Sequence, residues 1–120
     1  MPTVLVTGAN RGLGLEFVRQ NAERGRRVIA TARHPHAAPE LTALATTHPN
    51  VSIETLDVGA GESIRDSARK LTGQAIDVLL NNAGWLGDRD KQSFATLDYQ
   101  TFEEVLRINT FGPLAMAQAF

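Results

Sequence analysis

Four stretches of the chain carry the continuous or alternating apolar pattern of strands, and four others space their apolar residues as helices do. Val4-Leu5-Val6 is a short apolar run closed by Thr7-Gly8, which predicts a buried strand. From Gly12 to about Arg24 the pattern turns helical, with Leu15, Val18 and Ala22 at helix spacing and Gly25 placed to end it. Arg27 to Thr31 is a second β-type run, Arg33 to Pro39 a loop, and Glu40 to about Thr47 a helix with Leu41 and Leu44 on one face. Val51 to Leu56 alternates apolar and polar residues and predicts a third strand, and Ile64, Ala68 and Leu71 space a helix that stops near Gly73. Asp77 to Asn81 contains the continuous apolar run of a fourth strand. The segment from Gly84 to Leu97 is polar and loop-like, and Asp98 is placed to cap a last helix carrying Phe102, Val105, Leu106 and Asn109.

Short strands alternating with helices predict an α/β fold, a Rossmann-type parallel sheet with helices on both faces. The first three strands and their helices make one mononucleotide-binding half, and the fourth strand begins the next. By analogy with that fold the strand order is 3-2-1-4, with a switch point between strands one and four, whose C-terminal ends carry Gly8 and Asn81. A chain of 120 residues fits one domain, residues 1–120.

Composition removes several function classes. The net charge of −1 gives no reason to expect nucleic acid or an anionic membrane as a partner. With no cysteine, disulfides, thiolate metal sites and thiol chemistry are excluded. The first eight residues carry no basic leader and no stretch approaches membrane-spanning length, so the expectation is a soluble, cytoplasmic protein.

The chemistry-bearing segment is Thr7-Gly8-Ala9-Asn10-Arg11-Gly12-Leu13-Gly14, which joins the first strand to the first helix. Glycine is needed there for a tight turn, for close approach of backbone N–H groups to a pyrophosphate, and for helix–strand packing. The helix N-terminus then faces the phosphates with unpaired N–H groups and the positive end of its dipole. A tight turn that binds nothing satisfies the same three glycines, so the strand before and the helix after are what favour a nucleotide.

The spacing G-x-x-x-G-x-G preceded by Thr7 resembles that of the short-chain dehydrogenase/reductase family. Three later segments resemble it in order: Leu56-Asp57-Val58 after the third strand, Asn81-Asn82-Ala83-Gly84 after the fourth, and Ile108-Asn109-Thr110 in the last helix. The run from Val4 to Glu16 is most similar to the C-factor and carbonyl-reductase-like branch. The resemblance covers the whole chain but only the N-terminal half of a family member. It implies a cofactor site made by Gly8, Asn10, Arg11, Gly12, Leu13, Gly14, Arg33, Asp57, Val58, Asn81, Asn82, Ala83 and Gly84. In such a site the Asp57 side chain meets the adenine.

The end of the second strand separates NAD from NADP, because an acid there bonds the ribose 2′-hydroxyl whereas an Arg accommodates a 2′-phosphate. Here Thr31-Ala32-Arg33 offers no carboxylate, and Arg11 in the glycine turn would face the same phosphate as Arg33. Each arginine alone is equally well a solvated loop cation. Together, with no acid at Ala32, they favour NADP(H) over NAD(H).

The resemblance also gives the helix-borne Asn109 a relay role, its main-chain carbonyl holding a water. Pro113, four residues on, has no N–H to occupy that carbonyl, and Gly112 eases the distortion. A plain kink with Asn109 facing solvent remains the alternative. The family reaction is hydride exchange between nicotinamide and a carbonyl or alcohol, with a Ser and a Tyr-x-x-x-Lys pair on one helix face. No such pair occurs: Tyr99 is followed four residues on by Glu103, and neither Lys70 nor Lys91 has a tyrosine four residues before it. Ser93 falls too early, and Tyr99 reads as a packing residue. His34, His36 and His48 lie in polar loops, with no metal expected, and Trp85 and Phe94 are expected to cover the cofactor side of the loop or to pack locally.

Two further expectations follow. The chain stops before the family's fifth strand, leaving Val78-Leu79-Leu80 as a bare apolar edge that invites a second copy or a partner chain. The chain is either the cofactor-binding portion of an oxidoreductase, acting on a small carbonyl or alcohol substrate only in a full-length form, or a non-catalytic NADP(H)-sensing module, or an inactive remnant.

Overall fold

Thr3–Val6 (β1), Arg27–Ala32 (β2), Val51–Thr55 (β3) and Val78–Leu80 (β4) form one parallel sheet in the order β3-β2-β1-β4. The computed structural model describes all 120 residues. Val4 of β1 lies between Val28 and Val78, and Leu5 between Ile29 and Leu79, so the two central strands meet apolar neighbours along their length. The helices are Gly12–Glu23 (α1), Pro39–Thr47 (α2), Gly61–Lys70 (α3), Tyr99–Leu106 (α4) and Gly112–Ala119 (α5).

The period-two geometry of the strands divides the core into two layers. Val4, Val6, Val28 and Ala30 point to one face, where they pack with Val18 and Ala22 of α1 and Leu41 of α2. Leu5 and Ile29 point to the other and meet Leu56, Val58, Ile64, Leu71 and Met116, from α3, α5 and the turn after β3. Helices therefore cover both faces, which is why β1 and β2 read as continuous apolar runs. Burying side chains such as Leu5 or Ile29 contributes about 2 kcal/mol each.

Helix ends follow from local chemistry. Gly25 takes φ +75°. Its N–H donates to the Ala22 carbonyl while the Arg26 N–H reaches back to Asn21, and this double closure ends α1. Asp98 caps α4 as expected, accepting from the Thr101 N–H at 3.1 Å and from its hydroxyl at 2.7 Å.

Three expectations need revision. The loops at 33–39 and 84–97 contain short 3-10 turns at Pro35–Ala37, Arg89–Lys91 and Phe94–Thr96. The last helix is not one α-helix: α4 and α5 are joined by a π-helical turn, Arg107–Phe111, in which the Gly112 N–H donates to the Arg107 carbonyl. Pro113 explains the turn, because its ring crowds the carbonyl four residues back and a one-residue register change relieves it. Tyr99 and Phe94 do not pack: their relative exposures are 72% and 104%. The fourth strand is an edge, as the sequence predicts, with Val78 exposed and Leu79 and Leu80 half-buried.

Candidate functional site

Strand β1 delivers a buried threonine to the point where the strand order reverses. The Thr7 hydroxyl accepts the N–H groups of Asn82 and Ala83, each at 3.0 Å, while the Thr7 N–H donates to the Leu80 carbonyl at 3.1 Å. In return the Asn82 side-chain amide donates to the carbonyls of Thr7 and Gly8, each at 3.1 Å. Gly8 sits at φ +62°, and a Cβ on it would lie 2.8 Å from the Ala83 Cα. At Gly14 a Cβ would come within 2.0 Å of the Gly8 carbonyl oxygen and 2.5 Å of the Asn82 amide nitrogen. The glycine turn and the Asn81–Gly84 segment are thus one interlocked unit.

Beyond the turn, α1 begins without a cap from any side chain, at Arg11 in extended conformation. Its first internal closure is the Leu15 N–H to the Arg11 carbonyl, and the N–H groups of Gly12, Leu13 and Gly14 have no protein acceptor. Gly12 takes φ +59°, and a Cβ there would meet open space. Unpaired N–H groups and the positive dipole end favour an anion at this place.

In front of them lies a cleft of about 410 Å³ that crosses the C-terminal ends of all four strands. It brings together Gly8, Asn10, Arg11, Gly12, Arg33, Asp57, Val58, Asn82, Ala83 and Gly84 of the residues singled out in the sequence. Leu13, Gly14 and Asn81 lie outside it. Leu13 is exposed, Gly14 is buried in the seam between α1 and the Asn82 amide, and the Asn81 amide donates to the Pro113 carbonyl at 3.2 Å. Their contribution is therefore to packing or to backbone rather than to the cleft wall. Asp57 lines the cleft with one carboxylate oxygen engaged by the Gly59 N–H at 2.9 Å, while its own N–H donates to the Ser63 hydroxyl.

Ala32, His34, Ala37, Leu56, Trp85 and Ile108 complete the wall. Of these, His34 was legible only as a loop histidine, because no pattern in the chain reveals that the turn at Pro35–Ala37 folds it against the cleft. Trp85 takes the first of the two places expected for it, on the cleft side of its loop.

Asn109 lies outside the cleft and works on it through its side chain. Its Oδ1 accepts the Trp85 N–H and its Nδ2 donates to the Trp85 carbonyl, both at 2.8 Å. The π-helical turn holds Asn109 in the position from which both bonds reach Trp85. Ser93 is engaged with the Thr96 hydroxyl at 2.7 Å, away from the cleft wall. The rings of His34 and His36 meet edge to face at 6.3 Å, and no group of three metal-ligating side chains assembles anywhere. No helix is long and apolar enough to cross a membrane.

This sequence matches the family model described as short chain dehydrogenase over residues 2–120. An uncharacterized oxidoreductase of Schizosaccharomyces pombe is 36% identical across 96% of the chain and 46% of its own length. The (+)-neomenthol dehydrogenase of Arabidopsis thaliana is 33% identical across 97% of the chain and 47% of its own. Among solved structures, the NADPH-bound carbonyl reductase from chicken fatty liver is 37% identical, with a TM-score of 0.88, and is matched over 100% of this chain and 50% of that one. A carbonyl reductase from Pseudomonas aeruginosa PAO1 in complex with NADP is 31% identical, with a TM-score of 0.91 over 99% of this chain and 54% of that one. The chain spans about half the length of the curated relatives it matches.

Proposed function

Because the chain belongs to the short-chain dehydrogenase family, we propose that its cleft binds a nicotinamide dinucleotide, NADP(H) in preference to NAD(H), for an oxidoreductase that interconverts a small carbonyl compound and an alcohol. The observation that carries this reading is the cleft wall itself. An uncapped helix N-terminus, two guanidiniums and a strand end without a carboxylate meet in one space. The geometry fits the group, since the N–H groups of Gly12, Leu13 and Gly14 are unpaired and the space beside Gly12 is open.

When bound, the dinucleotide supplies or accepts the hydride. The chain's own residues bind and orient it. The N–H groups of Gly12, Leu13 and Gly14 receive the pyrophosphate, Arg11 and Arg33 receive the 2′-phosphate, and Asp57 offers its second carboxylate oxygen to the adenine amino group. Asn82 holds the glycine turn to β4, and Asn109 fixes Trp85 at the far side of the cleft. Proton transfer at the substrate oxygen requires groups that this sequence does not contain, since its one tyrosine, Tyr99, stands exposed with Glu103 one turn on. The open edge of β4 leaves room for a further strand to pair there.

Trp85 is the single tryptophan and lines the cleft, so its fluorescence reports binding directly. Titration with NADP⁺ and NAD⁺ is expected to give tighter NADP⁺ binding, and Arg33→Ala to weaken NADP⁺ about tenfold while leaving NAD⁺ nearly unchanged. Tighter binding of NAD⁺ would overturn the NADP(H) preference.

A further inference from the structure

We propose that His34 is a third reader of the 2′-phosphate, acting as an imidazolium beside Arg11 and Arg33, so that preference for NADP(H) over NAD(H) grows as the pH falls. The proposal rests on the nucleotide reading above and adds to it a residue and a pH response.

Its ground is placement. His34 lines the same cleft as Ala32, Arg33 and Arg11, at the end of β2 where the ribose 2′ position is read. Its backbone is held firmly. Pro35 opens the turn, the Ala37 N–H closes on the His34 carbonyl at 3.0 Å, and the Ala38 N–H closes on Pro35 at 3.0 Å. Its imidazole is free: neither ring nitrogen has a hydrogen-bond partner in the protein, and its ring lies edge to face with that of His36. A ring with two unsatisfied nitrogens, on a fixed turn lining the same cleft as Arg11 and Arg33, is placed to bind an anion and has no structural bond to lose.

The surrounding charges set the direction. The charged groups that share the cleft with His34 are Arg11, Arg33 and Asp57, and His36 shares its turn. On the elements packed against the turn, Glu40 begins α2 and Glu54 of β3 is paired with Lys70. A phosphate monoester carries close to two negative charges above about pH 6. Its arrival outweighs the opposing guanidiniums and draws a proton onto His34. Histidine ordinarily changes charge between about pH 5 and 8, whereas arginine stays charged throughout. Between about pH 8.5 and 6.5, where the phosphate keeps most of its charge, the pH response belongs to the imidazole. NAD lacks the phosphate and gains nothing from the proton.

The test is a Trp85 fluorescence titration of the protein with NADP⁺ and NAD⁺ between about pH 8.5 and 6.5, where the phosphate keeps most of its charge. For the unaltered protein the ratio of NADP⁺ to NAD⁺ affinity is expected to rise about threefold as the pH falls. His34→Gln keeps a polar side chain on an exposed turn and is expected to flatten that rise. At the acid end it weakens NADP⁺ about fivefold and spares NAD⁺. Calorimetry in two buffers of different ionisation enthalpy should show proton uptake on NADP⁺ binding that the variant loses. If His34→Gln keeps the same pH slope, the proposal is wrong. It is equally wrong if His34→Gln weakens both cofactors alike and His34→Phe restores them, since that pattern marks a ring stacked on adenine. Failure of the unaltered protein to bind either cofactor would instead remove the nucleotide reading, and this inference with it.

Discussion

Strand β1 has β2 on one side and β4 on the other, and the two neighbours fare very differently. In β2 every residue after Arg27 is buried, while in β4 Val78 is exposed and Leu79 and Leu80 are only half-covered. Yet β4, Val-Leu-Leu, is the more uniformly apolar sequence. The apolarity of a strand records the cover it needs, and β2 has that cover from β1, β3 and helices on both faces, whereas β4 has one strand neighbour. The same asymmetry runs through the cleft. Its β2 side stands on a packed core, and its β4 side is held by discrete hydrogen bonds, from Asn82 to the glycine turn and from Asn109 to Trp85.

The seam between these two sides is where the largest effect is expected. At Gly14 an added Cβ would meet the Gly8 carbonyl oxygen at 2.0 Å and its carbon at 2.8 Å, and that carbonyl is backbone, so it does not yield cheaply. Gly14→Ala should cost about 3 kcal/mol or more, read as a fall in the denaturant midpoint. Gly12→Ala is the control, because its Cβ meets nothing and only the left-handed φ is strained, at about 1 kcal/mol. If the two variants cost the same, the seam is not as tight as the geometry makes it.

Within the sheet, paired truncations measure the asymmetry directly. Leu5 is fully buried, and Leu5→Ala should cost about 3 kcal/mol. Its register partner Leu79 is half-covered, so Leu79→Ala should cost about 1 kcal/mol in the isolated chain. Equilibrium unfolding of both variants, with the mass in solution measured alongside, decides the matter. Equal costs in a species heavier than one chain would mean that a second segment covers β4.

Much of this was legible before the fold was known. The four strands, their order and the glycine turn follow from apolar runs closed by small or polar residues, because period and punctuation are local properties. Ten of the thirteen expected cofactor residues line the cleft for the same reason: a parallel sheet places its strand ends on one rim, so residues just past a strand converge. What could not be read depends on long-range placement. Gly14 and Asn81 look like cleft residues in the sequence, and only packing shows one filling a seam and the other bonded to Pro113. The sequence singles out Asn109 for its carbonyl and says nothing of its side chain. Its side chain turns out to hold Trp85, a partner 24 residues away that no spacing rule connects to it. Pro113 did announce a break in the last helix, but only the fold shows that it is a π-helical turn rather than a kink or an end, with Gly112 so close to Val58 that a Cβ would lie 2.7 Å from the Val58 carbonyl oxygen.

The smallest expected effect concerns acid, and it separates the two sides once more. On α1, Glu16 is held down to about 2 by hydrogen bonds from Arg19 and Gln20. At the start of α4, hydrogen bonds from the Thr101 hydroxyl and N–H hold the Asp98 carboxyl below the usual carboxylate range. Both are depressed acids, so each favours the folded state above its ordinary value and loses that contribution as the pH falls through the folded one. For Glu16 that window runs from 4.5 down to about 2. Its side chain is 42% exposed and belongs to an ion pair on a helix already anchored by Val18 and Ala22, so α1 should scarcely respond. Asp98 instead caps a short helix with exposed Tyr99 and Phe102, and protonation removes its charge–dipole attraction with little packing to compensate. Amide exchange, corrected for intrinsic rates, should therefore quicken in α4 before α1 as the pH drops below 4. Asp98→Asn, a neutral cap, should flatten that response, and added salt should weaken the small α1 effect more than the hydrogen-bonded cap. Earlier opening of α1 would mean that the ion pairs of Glu16, and not the cover over α4, govern the acid response.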